Sequence, residues 1–219
     1  MIKSTSSRTI DAYHGSGTQI DQFSYEFTGI GKDENGSGFY FSTDINDAIE
    51  YCTRTLEGQA KPGGMDNPTV HHVRLHLANP LDSRLEGDLT YAQARALMTR
   101  APNLDEALTS WGDVPSEGRE KLIAMALKSF VPSPDAGGEP VRLLRWLHNL
   151  ANDFYPEDVE AFNRAVQAVL GFDSVEDHDK ASGTSHYVAF FPEQVEILEH
   201  IPLAHLCEQE PAPSPSPNL

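Results

Sequence analysis

The sequence has no long apolar segment. A transmembrane helix needs about 20 predominantly apolar residues, and no stretch of the 219 residues meets that requirement. Residues 1–10 are polar and contain no apolar core of a classical secretion signal. We therefore expect a cytoplasmic protein without a membrane partner, and delivery into a host cell by another route stays open.

Cysteines and cations are also scarce. The two cysteines, Cys52 and Cys207, lie far apart and form neither a disulfide framework nor a metal-ligand pattern, which is typical of a reducing compartment. The 16 lysines and arginines face 33 acidic residues, giving a net charge of −17. Such a surface repels phosphate backbones. We therefore expect no nucleic-acid partner, and a basic protein partner fits the charge better.

The hydrophobic pattern predicts an α+β fold whose strands lie at both ends of the chain. Period-two segments predict the strands 9–14, 39–42, 70–77, 172–175, 186–191 and 194–198. Helical periodicity predicts the helices 45–55, 90–99, 104–111, 117–130, 141–154 and 157–170. Asp44 is the expected N-cap of the first helix, and the acidic segment 176–179 is expected to be a solvated loop.

These patterns predict a domain organisation. Residues 1–82 and 170–205 are expected to form the sheet core, and residues 83–169 a helical insertion within it. The Pro/Ser-rich residues 206–219 are expected to form a disordered tail.

Three segments carry residues suited to chemistry. The first is Tyr13-His14-Gly15-Ser16, and the second is Gly36-Ser37-Gly38-Phe39-Tyr40-Phe41-Ser42, with Tyr51-Cys52 eleven residues after Tyr40. The third is His186-Tyr187-Val188-Ala189-Phe190, followed by Gln194.

In order and spacing these segments resemble the catalytic domains of poly(ADP-ribose) polymerases and their diphtheria-toxin-like relatives. The nearer resemblance is to small bacterial and phage ADP-ribosyltransferase domains of polyvalent proteins. Those domains also contain segments like Asn79-Pro80-Leu81, Gly171-Phe172-Asp173 and Phe191-Pro192-Glu193-Gln194-Val195. The resemblance implies a split antiparallel β-sheet core that uses NAD as a substrate.

The resemblance also implies roles for single residues. His14 would hold the adenosine-side ribose, and the Gly15 main chain would bind the carboxamide. Tyr40 and Tyr51 would stack on the nicotinamide, as aromatic pairs can. Ser16 and Ser42 complete the expected NAD-binding set. Taken singly, Tyr40 and Tyr51 also fit ordinary packing positions.

One position departs from the polymerase pattern. The third catalytic residue of the polymerases is a glutamate that binds the nicotinamide-ribose 2′-hydroxyl, and His186 occupies that position here. Since cleavage passes through a cation-like transition state, the loss of a fixed negative charge argues against chain elongation. His186 and Gln194 are the candidates to take over the catalytic role beside His14 and Tyr40, and Glu193 is a weaker one.

A metal site is not expected. His72 and His76 share one face of a predicted strand with His71 nearby, but four residues of strand span about 13 Å, too far for one ion.

The sequence thus predicts a mono-ADP-ribosyltransferase that transfers ADP-ribose from NAD to a protein acceptor, as a bacterial or phage effector or toxin. Two alternatives stay open: an NAD glycohydrolase toxin and a catalytically inactive NAD-binding interaction module.

Overall fold

In the part of the chain that the structure describes, seven strands form one sheet in the order β4-β5-β6-β2-β1-β3-β7. The structure is a computed structural model that describes residues 8–27, 37–53, 66–109, 118–130, 142–156 and 158–207. The strands are β1 (Arg8–Ser16), β2 (Phe39–Ser42), β3 (Thr69–Leu77), β4 (Pro80–Asp82), β5 (Ser174–His178), β6 (Ser185–Ala189) and β7 (Val195–Pro202). Neighbouring strands are antiparallel except for the parallel pair β4–β5.

The sheet is divided between β1 and β2. These strands share one register pair, Tyr13 with Ser42, whereas β1 pairs with β3 along its whole length from Arg8 to Ser16. The sheet therefore consists of two halves, β4-β5-β6-β2 and β1-β3-β7, joined at one point. We call this junction the seam. The split antiparallel sheet predicted from the sequence is confirmed.

Helix α1 (Ile45–Thr53) covers one face of the sheet at the seam. The Asp44 carboxylate accepts the Asn46 amide at 2.9 Å, which is the expected N-cap arrangement. Ala48 and Cys52 pack against Val70. Gly15 permits this contact, because a Cβ there would lie 1.8 Å from the Ala48 carbonyl oxygen.

In the described residues between β4 and β5 there are five helices, which confirms the helical insertion of the predicted fold class. They are α2 (Tyr91–Met98), α3 (Leu104–Thr109), α4 (Arg119–Phe130), α5 (Leu143–Phe154) and α6 (Val159–Leu170). Their apolar sides form a core with Leu81, Val175 and Val188 of the sheet. The insertion thus covers β4, β5 and β6 on the face where α1 covers β1 and β3.

The segments that lead into β4 and β5 are held together by one carboxylate. Asp173 accepts the main-chain amides of Ala78 and Asn79 at 2.7 and 3.0 Å. The Asn79 side chain donates to the carbonyl of Gly171, which ends α6 in the left-handed conformation with φ of 83°. Two of the segments that carried the family resemblance are therefore structural, since they clasp each other.

The expectation of a solvated loop at residues 176–179 is wrong, because β5 continues to His178. Its acidic side chains have partners: Glu176 binds Arg8 and Tyr187, and Asp177 accepts from Ser83. Pairing of this kind allows carboxylates to occupy a half-buried strand.

Other predicted features differ from the structure or lie outside it. A short helix, α7 (Leu203–Cys207), follows β7 and includes the first residues of the expected tail, whose remainder lies outside the described residues. Gly36 also lies outside them. Across the described parts of the chain, no helix is long and apolar enough to span a membrane.

Candidate active site

His14 binds the neighbouring strand through its side chain. Its Nδ1 lies 2.7 Å from the main-chain oxygen of Tyr40. A carbonyl oxygen only accepts, so Nδ1 carries the proton and Nε2 is the accepting nitrogen of the neutral ring. The ring centroid lies 5.1 Å from that of Phe23 and 5.7 Å from that of Phe41. His14 thus bridges the seam where β1 and β2 separate, with one nitrogen suited to accept from a hydroxyl.

His71 supports His14 from the next strand. It is fully buried and lies opposite His14 in the β1–β3 register. Its Nε2 accepts the amide of Ile20 at 2.8 Å, and its Nδ1 donates to the His14 carbonyl at 3.3 Å. The bond that Nε2 accepts requires the neutral ring with its proton on Nδ1. Burial, followed by the nearby His14, lowers the pKa of His71 to about 4, so this side chain is uncharged at neutral pH.

Gly15 and Ser16 continue β1 at the seam. The side of Gly15 where a Cβ would lie is filled by the main chain of α1, so its lack of a side chain serves helix packing. The Ser16 hydroxyl accepts the amide of Thr18 at 3.3 Å, which turns the chain after the strand. Both residues lie beside the seam, next to His14.

Tyr40 and Ser42 face the other side of the sheet from His14. Side chains alternate along a strand, and Phe39 and Phe41 lie in the core on the His14 side. Tyr40 is half-buried against the core of the helical insertion. The structure therefore joins His14 to the main chain of Tyr40, while the two rings lie on opposite faces.

His186 shares the face of Tyr40 and Ser42. It pairs with Ser42 across β2 and β6. Its Nε2 lies 2.9 Å from Oδ2 of Asp47, and the same oxygen accepts the Ser42 hydroxyl at 2.7 Å. The side chains of His186 and Asp47 are 38% and 34% exposed, so solvent and a ligand can reach them.

Tyr51 lies on α1 one turn after Asp47. Residues four apart share a helix face, and Asp47 binds His186. Tyr51 therefore lies on the side of α1 that faces His186. The Tyr51 side chain is 51% exposed. The structure thus brings Tyr40, Ser42, Tyr51 and His186 to one face, between α1 and the helical insertion.

Gln194 is not brought to this face of the seam. It is buried at the end of a 3-10 turn (Pro192–Gln194) just before β7, a strand that pairs with β3. Its Oε1 accepts the amide of Phe191 at 2.9 Å, and its Nε2 lies 3.5 Å from the carbonyl oxygen of His76. Both ends of the amide therefore hold the turn that leads into β7.

Sequence reasoning missed two residues of this site. Asp47 gave one usable signal, since it precedes Tyr51 by four residues in a predicted helix and must share its face. His71 gave none, because its role depends on the register of β1 and β3, which no local spacing encodes.

One of three comparisons with known proteins identifies a family for this chain. A model of the family described as ADP-ribosyltransferase in polyvalent proteins matches residues 8–200. A search of curated proteins gave no match. The chain is similar to a solved structure described as the crystal structure of an anti-CRISPR protein, with 17% identity and a TM-score of 0.31, covering 90% of this chain and 99% of that one. A TM-score this low supports no conclusion.

The family match includes all strands of the sheet and the helical insertion, because it runs from the start of β1 into β7. It supports ADP-ribosyltransferase activity in general, with NAD as the substrate that the family uses. The resemblance stated from the sequence is confirmed, and the protein belongs to the ADP-ribosyltransferases of polyvalent proteins.

Proposed function

We propose that the protein transfers a single ADP-ribose unit from NAD to a protein acceptor. The observation that carries this proposal is the meeting of His14-Gly15 with Tyr40 at the seam, where β1 and β2 separate beneath α1. These segments are far apart in sequence, and they are the ones that the family resemblance assigns to NAD.

The contacts suggest how NAD is held. The nicotinamide lies on the face shared by Tyr40 and Tyr51, and offset stacking on aromatic rings favours a flat ring. NAD passes through the seam between β1 and β2, so that its adenosine-side ribose reaches Nε2 of His14 on the opposite face of the sheet, while Nδ1 of His14 donates to the Tyr40 carbonyl. Gly15 and Ser16 offer main-chain groups beside His14, and Ser42 lies next to the reacting end.

Transfer of one unit follows from the residue at the glutamate position. As the bond to nicotinamide breaks, positive charge grows on the ribose. His186 cannot supply a fixed negative charge, but its accepting nitrogen can bind the ribose 2′-hydroxyl. The strong negative charge of the chain favours a basic protein as acceptor, consistent with an effector or toxin that acts in a cytoplasm.

The second candidate function is NAD hydrolysis. The partial exposure of His186 and Asp47 favours it, because water can reach the same face as an acceptor protein. Hydrolysis and transfer then differ only in the nucleophile that captures the ribose.

Incubation with etheno-NAD, with and without cell lysate, tests both functions. Label incorporated into a discrete lysate protein supports transfer. An increase in etheno-NAD fluorescence that is as large without lysate as with lysate supports hydrolysis. His14→Ala is expected to lower either signal by about 10-fold or more, from the loss of one ribose hydrogen bond. Absence of both signals from the wild-type protein would contradict both functions and leave an NAD-binding interaction module.

A further inference from the structure

We propose that Asp47 is a positioning residue for catalysis, which acts by fixing the proton and the orientation of His186. The inference rests on the proposed function and deepens it. Asp47 and His186 together then take the role of the glutamate that binds the nicotinamide-ribose 2′-hydroxyl in the polymerases.

The hydrogen bonds determine which nitrogen of His186 faces the ligand. A carboxylate oxygen only accepts, so the contact of 2.9 Å places the proton of the neutral ring on Nε2. Nδ1 then carries the lone pair. Without Asp47 the ring would exchange between two tautomers, and in one of them Nδ1 would donate and could not accept from the ribose 2′-hydroxyl.

Asp47 is itself held in place. Its Oδ2 accepts the hydroxyl of Ser42, and the Ser42 oxygen accepts the amide of Asp44 at 3.0 Å. The carboxylate belongs to the first turn of α1, where the helix dipole favours a negative charge. Strand β2 and helix α1 therefore fix the carboxylate before it orients His186.

A second carboxylate is the alternative candidate for the group that orients His186. Asp177 of β5 pairs with His186 in the β5–β6 register and shares its face. Its Oδ1, however, accepts the hydroxyl of Ser83 at 2.5 Å. Asp177→Asn is therefore the matched control, because it removes a neighbouring carboxylate without removing the contact to His186 Nε2.

The first experiment measures steady-state cleavage of etheno-NAD by the full-length variants. Asp47→Asn should lower kcat by about 10- to 100-fold with KM changed less than about threefold, because the lost interaction acts in the transition state. Asp47→Glu, which restores the carboxylate, should recover part of the rate. Asp177→Asn should stay within about twofold of wild type.

The double variant tests whether Asp47 acts through His186. In a His186→Ala background, Asp47→Asn should cost less than about twofold, since residues that act as a unit are not additive. Additive losses, an unchanged kcat in Asp47→Asn, or an equal loss in Asp177→Asn would each overturn the proposal.

A spectroscopic measurement keeps the test independent of activity. In protein labelled with ¹⁵N-histidine, the His186 signals, identified by their loss in His186→Ala, should show the Nε2–H tautomer in wild type. Asp47→Ala should produce a mixture. An Nδ1–H tautomer in wild type would overturn the inference. Failure of wild type to cleave NAD would instead contradict the proposed function, and the two failures are thereby distinguished.

Discussion

Two histidine sites lie on opposite faces of the same sheet, and they differ in what holds the ring. One face carries the rings of His14, Phe41 and His71, and we call it the closed face. There, His71 is buried among aromatic rings, and its described hydrogen bonds are to main-chain groups. The other face carries Tyr40, Ser42 and His186, and we call it the open face. There, His186 is partly exposed and bound by the Asp47 carboxylate. Each ring has its tautomer fixed, but among the described hydrogen bonds only the ring of the open site binds a carboxylate directly.

The comparison shows that histidine has two different roles in this sheet, one structural and one directed at a ligand. A histidine whose partners are an amide and a carbonyl is kept neutral, and its contribution is to hold two strands and a loop in register. A histidine beside a carboxylate keeps an accepting nitrogen available to a ligand and has a charge nearby. His14 connects the two sites, because its side chain lies on the closed face while it binds the main chain of Tyr40.

The largest effect is expected from Gly15→Ala, which should destroy the open site and spare the closed one. The new Cβ would lie 1.8 Å from the Ala48 carbonyl oxygen, so α1 must move away from β1. We expect the free energy of unfolding to fall by about 3 kcal/mol, with loss of NAD cleavage. Denaturant unfolding measures the change, and Asp11→Asn, an exposed change on the same strand, is the control. Full stability in Gly15→Ala would contradict the packing of α1.

Next in size is His71→Phe, which should break the closed site. It leaves the Ile20 amide and the His14 carbonyl without their partner, at a cost of about 2 to 3 kcal/mol in the free energy of unfolding. His72→Phe is the matched control, since His72 is the adjacent residue on the opposite face and stacks on Tyr13. Thermal unfolding of the two variants should therefore differ clearly, and equal melting temperatures would show that the His71 contacts add no stability.

A pH titration of stability sharpens the contrast between the faces. The pKa of His71 falls from 6.5 to about 4 on folding, chiefly through burial, so the unfolded chain binds more protons between these values. The stabilisation is complete above pH 6.5 and is lost as pH falls towards 4, by at most about 3 kcal/mol. Urea unfolding across this range measures it. His71→Phe should show a shallower slope, and an identical slope would assign the effect to other groups.

The smallest effect is expected from Gln194→Ala. The variant leaves the buried Phe191 amide without its acceptor, so the free energy of unfolding should fall by about 1 to 2 kcal/mol. Turnover of NAD should change much less than in His186→Ala, because the amide serves the turn before β7. A loss of kcat as large as that of His186→Ala, at constant KM, would move the catalytic assignment to Gln194.

Much of the fold could be predicted from local sequence patterns. The helices of the insertion begin and end within a few residues of the predicted bounds, because capping residues such as Thr90 and Asp158 and apolar periodicity are local signals. The sequence predicts a strand that ends at Val175 because the later residues are charged, whereas β5 continues to His178. Their partners, Arg8, Tyr187 and Ser83, come from distant segments, and charge alone favours a loop.

The arrangement of the site was less predictable, because it also depends on contacts between segments that are distant in the sequence. The spacing of Tyr40 and Tyr51 and the position of His186 are linear features, and they identified the segments that meet at the seam. Which sheet face each ring occupies depends on strand register, so the separation of His14 from the Tyr40 ring could not be read from the sequence. The contact of Asp47 with His186 joins residues 139 positions apart and exists only in the folded chain.

The clasp made by Asp173 has a consequence for how this fold can vary. Because β4 and β5 are paired with each other, and Asp173 binds the chain just before β4, the segment between these strands starts and ends at fixed positions in the sheet. The entropy of closing a loop grows only with the logarithm of its length, by about 0.6 kcal/mol per doubling. Lengthening or shortening the loops between helices of the insertion therefore costs the sheet little, as long as the helices that pack against Tyr40 are kept.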